Sequence, residues 1–123
     1  MSLPKKTSVP TEEIEQRLFV QWLDRYGFKY TAIPNSTYTK SWSQKRKNTA
    51  MGLRAGFPDM VIIARGQLIC VEMKRRKGST TSPEQKEWLA ALTEAGVPAA
   101  ICKGADEAQA FIKSVISPAA SGV

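Results

Sequence analysis

Asp59, Glu72 and Lys74 are the residues whose types and spacing could do chemistry. Between them lie two short apolar runs, Val61-Ile62-Ile63-Ala64 and Leu68-Ile69-Cys70-Val71, separated by Arg65-Gln67 with Gly66 at the centre. Continuous β-branched runs of this length read as strands buried on both faces. Arg65-Gly66 then makes a tight two-residue hairpin, Gly supplying a positive φ. In that register Ala64 faces Gln67, and counting outward brings Asp59 opposite Glu72 on one face. Directly opposed Cβ atoms are about 4.5–5.5 Å apart. Two carboxylates at that distance repel by roughly 3 kcal/mol at an effective dielectric near 20. A divalent cation between them converts the repulsion into binding. Strand alternation returns Lys74 to the face of Glu72. The alternative is a charged hairpin mouth with surface ion pairs, Glu72 to an arginine or Lys74 to Asp59. It leaves three like-facing charges on an apolar hairpin without an explanation.

Pro58-Asp59 followed by Glu72-Met73-Lys74 resembles the PD-(D/E)xK nuclease superfamily. Ala55-Gly56-Phe57-Pro58-Asp59, Glu72-Met73-Lys74-Arg75 and Ser82-Pro83-Glu84-Gln85 look like its VRR-NUC branch, small virus-type repair nucleases related to Holliday junction resolvases. The resemblance runs from about residue 11 to residue 112. It implies an α/β, restriction-endonuclease-like core of αβββαβ order, a mixed sheet flanked by helices. It also implies metal-dependent hydrolysis of DNA phosphodiesters. Asp59 and Glu72 would hold Mg²⁺ or Mn²⁺ with the main-chain carbonyl of Met73. Oxygen ligands with open water positions suit these hard cations. Lys74 would orient or activate the attacking water, and Gln85 would help position water or phosphate. Members of the superfamily add a glutamate from the first helix. Glu12, Glu13 and Glu15 all qualify; Glu12 fits the spacing of the viral branch and Glu15 that of archaeal-type resolvases, and all three also suit a helix N-terminus without any catalytic part. By analogy with the resolvases, the substrate is branched or four-way-junction DNA and the active form a homodimer. A non-catalytic DNA-binding or packaging protein, and a general nicking nuclease, are the competing readings.

The elements that must position these groups are legible in turn. Thr11 is a good N-cap before Glu12-Glu13, and Ile14, Leu18, Phe19, Trp22 and Leu23 recur at helical spacing, so a helix is expected over 11–26. A strand is expected over 28–33. Residues 34–51 carry no clean period and are expected to be irregular. Their mix of Tyr38, Trp42, Lys45, Arg46 and Lys47 suits DNA contact, a dimer surface or an ordinary exposed loop. After the basic loop 75–81, Ser82 N-caps a helix with Pro83 at its first position and Gln85 closing a capping box. Gln85 therefore has a capping role and, by the resemblance, a site role, and the two are compatible. Gln85, Trp88, Leu89 and Leu92 share one face of that helix, expected over 83–95. A strand over 98–102 and a helix over 106–116, N-capped by Asp106 and carrying Ala110, Phe111 and Val115, close the chain.

The formal charge of +7 on 123 residues points to a polyanionic partner. No Asp or Glu occurs between Arg25 and Pro58, while Lys40, Lys45, Arg46, Lys47 and Arg54 do; Arg75, Arg76 and Lys77 follow the motif. These eight are the expected DNA contacts. The chain has no histidine, which excludes imidazole-based acid–base catalysis and His-ligated metal sites. Cys70 and Cys102 sit in apolar runs without a CxxC partner and are expected as free buried thiols. No apolar run reaches the ~20 residues of a membrane span, and the N-terminus carries no signal pattern, so one intracellular domain with a core over 11–116 and loose termini is expected.

Overall fold

The computed structural model describes residues 8–34 and 40–117. Most of the N-terminal stretch expected to be loose, Tyr38 and the tail after Ser117 lie outside the described residues. Four helices and four strands follow in the order α1 (Glu12–Arg25), β1 (Lys29–Ala32), α2 (Trp42–Ala50), β2 (Met60–Ala64), β3 (Gln67–Lys74), α3 (Pro83–Glu94), β4 (Ala99–Lys103) and α4 (Ala105–Ile116). The sheet runs β1-β2-β3-β4, with the first two pairings antiparallel and the last parallel. This is the expected mixed sheet flanked by helices, with α2 as an addition. No helix among the described residues is long and apolar enough to cross a membrane.

The hairpin closes in the expected register, Ala64 opposite Gln67 and Met60 opposite Val71. Both central residues of its turn lie at positive φ, Arg65 at 49° and Gly66 at 75°. That is the pairing a type I′ turn demands, and its twist matches the strands. The expectation of two-sided burial holds only for β3, where Ile69 through Met73 are buried. In β2 burial alternates: Met60, Ile62 and Ala64 are inside, while Ile63 is 46% exposed beside Leu68 at 41%. Both strands lie inside the sheet, so their neighbours in the sheet do not make the difference; α1 and α4 pack on the core-facing side of β2, and its far side is left partly open. Phe19 and Leu23 of α1 and Ala105, Ala108 and Ile112 of α4 pack with the inward residues of β2 and β3 in one cluster.

Caps define the helix starts. The Thr11 side chain accepts from the Ile14 N–H at 3.2 Å, and Ser82 and Gln85 form the complete capping box of α3. Two expectations are corrected. The stretch 34–51 is not irregular throughout, because α2 occupies its second half, N-capped by Ser41 and braced by a 2.7 Å hydrogen bond from Gln44 to Asn48. None of its residues is buried, so the apolar stripe that betrays a helix in sequence is missing. And Asp106 does not cap α4, which begins one residue earlier with Gly104 as N-cap and no side-chain cap of its own. The Ala105 N–H instead donates to Glu15 Oε1 of α1 at 2.9 Å. With that start, Ala110 is exposed, while Phe111 and Val115 pack partly on the core.

Candidate metal centre

Asp59 stands one residue before β2, and neighbouring strands hold it at both ends. Its main-chain carbonyl accepts from the Ile33 N–H at 2.7 Å, just past β1. Its Oδ2 accepts from the Met73 N–H of β3 at 2.9 Å. The loop leading to it is fastened to α3. Gly56, at φ 96°, lies so close to the first turn of α3 that a Cβ there would sit 2.6 Å from the Glu84 carbonyl carbon. The Trp88 indole N–H donates to the Ala55 carbonyl at 3.0 Å, and the Phe57 and Trp88 rings meet edge to face at 5.1 Å. Only glycine fits that approach, which holds the loop before Asp59 against the first turn of α3, where Gln85 lies.

Glu72 is 4% exposed. Its Oε2 accepts from Gln85 Nε2 at 2.9 Å and lies 3.8 Å from Lys74 Nζ. Its Oε1 is buried without a hydrogen-bond partner among the described residues. Glu12, at the start of α1, completes a group of three carboxylates whose ligand oxygens all lie within 4.8 Å of one another. Burial above all, then the Asp59 charge and a hydrogen bond to Asp59 open only to the protonated form, raise the Glu72 carboxyl to about 8. Lys74 opposes that rise. Glu12 is raised too, by burial first and then by Asp59.

These residues fit a hard divalent cation. The donors are all oxygen, they converge, and in the ionised state one buried carboxylate oxygen has no hydrogen-bond partner among the described residues. The ion pair of Lys74 with Glu72 exists, but its side chains are only 12% and 5% exposed, which is no surface pair. One ammonium also leaves the other carboxylates uncompensated.

Of the three first-turn glutamates, the fold brings only Glu12 here. Glu13 pairs with Arg17 in solvent at 3.1 Å. Glu15 is fully buried, bonded to Arg76 at 3.0 Å and to the Ala105 N–H. Gln85 holds both expected positions at once, its Oε1 accepting from the Ser82 N–H at 3.0 Å while its amide nitrogen donates to Glu72. Met73 reaches the site through its main chain, its side chain being buried in the core.

The expected DNA contacts divide. Lys40, Lys45, Arg46 and Lys47 are exposed on α2 and just before it, Lys45 lying 4.8 Å over the Trp42 ring. Arg54 ties down the end of α2 through the Thr49 and Leu53 carbonyls. Arg75 reaches the Gly78 carbonyl at 3.4 Å, and Lys77 is exposed. Arg76 departs from the expectation: its guanidinium is engaged by Glu15 and, at 3.4 Å, by Asp106. Sequence reasoning missed this clamp. The signal available was Glu15 at the head of the buried i, i+4, i+8 stripe it forms with Phe19 and Leu23, where a carboxylate needs a partner.

The family model described as the VRR-NUC domain matches residues 11–106. A solved structure described as a VRR_NUC domain protein is similar to the chain with a TM-score of 0.74 and 29% identity, covering 89% of this chain and 91% of that one. No curated protein matches.

Proposed function

The chain belongs to the VRR-NUC domain family, nucleases of the PD-(D/E)xK type, and from that premise we propose that it is a divalent-metal-dependent endonuclease acting on branched DNA, four-way junctions included, as a homodimer. The observation that carries the reading is the convergence of Glu12, Asp59 and Glu72, with the buried Oε1 of Glu72 having no hydrogen-bond donor among the described residues. Those three, with the Met73 carbonyl, would hold Mg²⁺ or Mn²⁺. Such an ion supplies positive charge against the scissile phosphate and brings the pKa of a water toward neutrality.

The chain's own groups divide the remaining work. Lys74 sets an ammonium beside the carboxylates, where it offsets charge developing on the phosphate and orients the attacking water. Gln85 pins Glu72, and because its carbonyl oxygen is occupied by the Ser82 N–H its amide cannot turn over. Its second N–H has no partner among the described residues and can meet phosphate or water. The buried, apolar flank of β3 keeps bulk water from screening these charges. A protein that only bound DNA would have no use for acids held this close.

The test is cleavage of junction, flap, linear, single-stranded and RNA substrates with Mg²⁺ or Mn²⁺, with EDTA, and with Asp59→Ala. Branched DNA should be cut by the parent with either ion and by neither control. Lys74→Ala should still bind Mn²⁺ yet lose about 10²–10³ in rate. Asp59→Ala cutting as fast as the parent would remove the assignment.

A further inference from the structure

We propose that α2 is a nucleic-acid-binding arm that stacks Trp42 on an unpaired base, so that preference for interrupted or single-stranded over continuous duplex DNA resides in this helix. The proposal rests on the nuclease reading for its polyanionic substrate and concerns a surface apart from the metal centre.

Trp42 is 73% exposed at the first position of a nine-residue helix that buries nothing. An indole is the costliest side chain to leave in water, and core packing does not place it there. Trp42, Lys45, Arg46 and Thr49 fall at i, i+3, i+4 and i+7 and line one shallow groove. A flat aromatic surface and two cations therefore share one helix face. Lys45 already lies over the ring, showing that a cation and a π-face meet here at close range.

The charge selects the occupant. Residues 40–54 carry Lys40, Lys45, Arg46, Lys47 and Arg54 and no acid. A second copy of the chain docked through this face would set like charges against one another about a two-fold axis. A phosphate backbone is complementary to it. Phosphate alone, however, gives tryptophan no role. In continuous duplex each base face is covered by its neighbours, whereas an unpaired base offers a free π-face that an exposed indole accepts whatever its sequence. The groove thus suits a strand leaving a duplex, with Trp42 on the base and Lys45 and Arg46 on the flanking phosphates. Arg54, by bonding the Thr49 and Leu53 carbonyls, joins this arm to the loop that leads to Asp59.

The experiment is equilibrium binding in EDTA, where no cleavage occurs, of fluorescein-labelled blunt duplex, flapped duplex and single strand of matched length. Trp42→Ala should weaken the flapped and single-stranded probes by about 5- to 100-fold, leave the duplex within about twofold, and leave the melting temperature unchanged because the residue is outside the core. Trp42→Phe should restore most of the loss. Lys45→Ala and Arg46→Ala should weaken all three probes alike and lower the salt slope by about one each. Trp42→Ala that changes no probe, or weakens all three equally, overturns the proposal, as does conversion of a dimer to a monomer by that substitution in sedimentation. Asp59→Ala separates the two readings. If Asp59→Ala still cuts but Trp42→Ala loses single-strand binding, the catalytic assignment fails and the arm stands. If Asp59→Ala abolishes cutting and Trp42→Ala discriminates nothing, the reverse holds.

Discussion

Glu72 carries the electrostatic tension of the site in a single side chain. Burial and the neighbouring Asp59 raise its carboxyl from 4.5 to about 8. Without a cation the folded protein therefore keeps a proton that the unfolded chain has already lost. The sign follows from linkage: the folded state binds more protons between about pH 4.5 and 8, so this group lowers stability as pH rises through that window. A cation must displace the same proton. Mn²⁺ affinity should therefore rise about tenfold per pH unit up to about pH 8 and then level off, with about one proton released. Isothermal titration in two buffers of different ionisation enthalpy measures both. Flat affinity across that range would show that Glu72 is not the proton carrier.

Among the elements, the joint between α1, the loop after β3 and the start of α4 does more than its length suggests. Glu15 projects from α1, one turn after Glu12, and binds Arg76 and the α4 N-terminus together. It thereby sets the roll of α1 about its axis, and that roll decides whether Glu12 reaches Asp59. Removing Arg76 leaves a carboxylate with no solvent exposure and no cation. Arg76→Ala should cost about 3 kcal/mol, the low end for a broken buried pair, because the Arg76 side chain is half exposed. Glu15→Gln in that background should recover part of the loss, since the amide oxygen can still accept from Ala105 without a charge to bury. Denaturant titration of the three variants gives the coupling directly. A loss under 0.5 kcal/mol for Arg76→Ala, the range of ordinary surface changes, would return this arginine to the solvent-facing, phosphate-binding group.

At the scale of the whole molecule, three convergent acids and a surface of net charge +7 predispose the fold to two kinds of ligand. The cation binds the native state and not the unfolded chain, so Mn²⁺ at about 100 times its Kd should add about 2.7 kcal/mol of stability and raise the melting temperature. Asp59→Asn should abolish that rise and, by removing one repelling charge, melt higher than the parent in EDTA. A metal-free Asp59→Asn that melts lower would mean that the Asp59 bond to the Met73 N–H outweighs the repulsion. The two thiols should not interfere, since burial pushes Cys70 up and Cys102 to about 12.

What could be read in advance was what neighbours in the chain impose on one another. Arg65-Gly66 sets the turn, the turn sets the register, and the register puts Asp59 beside Glu72; likewise Ser82-Pro83 and Gln85 write the start of α3 in four residues. Such features depend on backbone dihedrals and hydrogen bonds closed over short separations, so composition and spacing carry them. The choice among Glu12, Glu13 and Glu15 is of another kind. Consecutive helix positions differ by about 100°, and no local rule says which faces the sheet. Phe19 and Leu23 against β2 and β3, and Arg76 against Glu15, settle it through contacts between residues up to 61 apart in sequence. The same holds for the half-open side of β2, for the start of α4 and for α2, a helix without a buried stripe. Each is decided by which surfaces meet, and that is known only when the chain has folded.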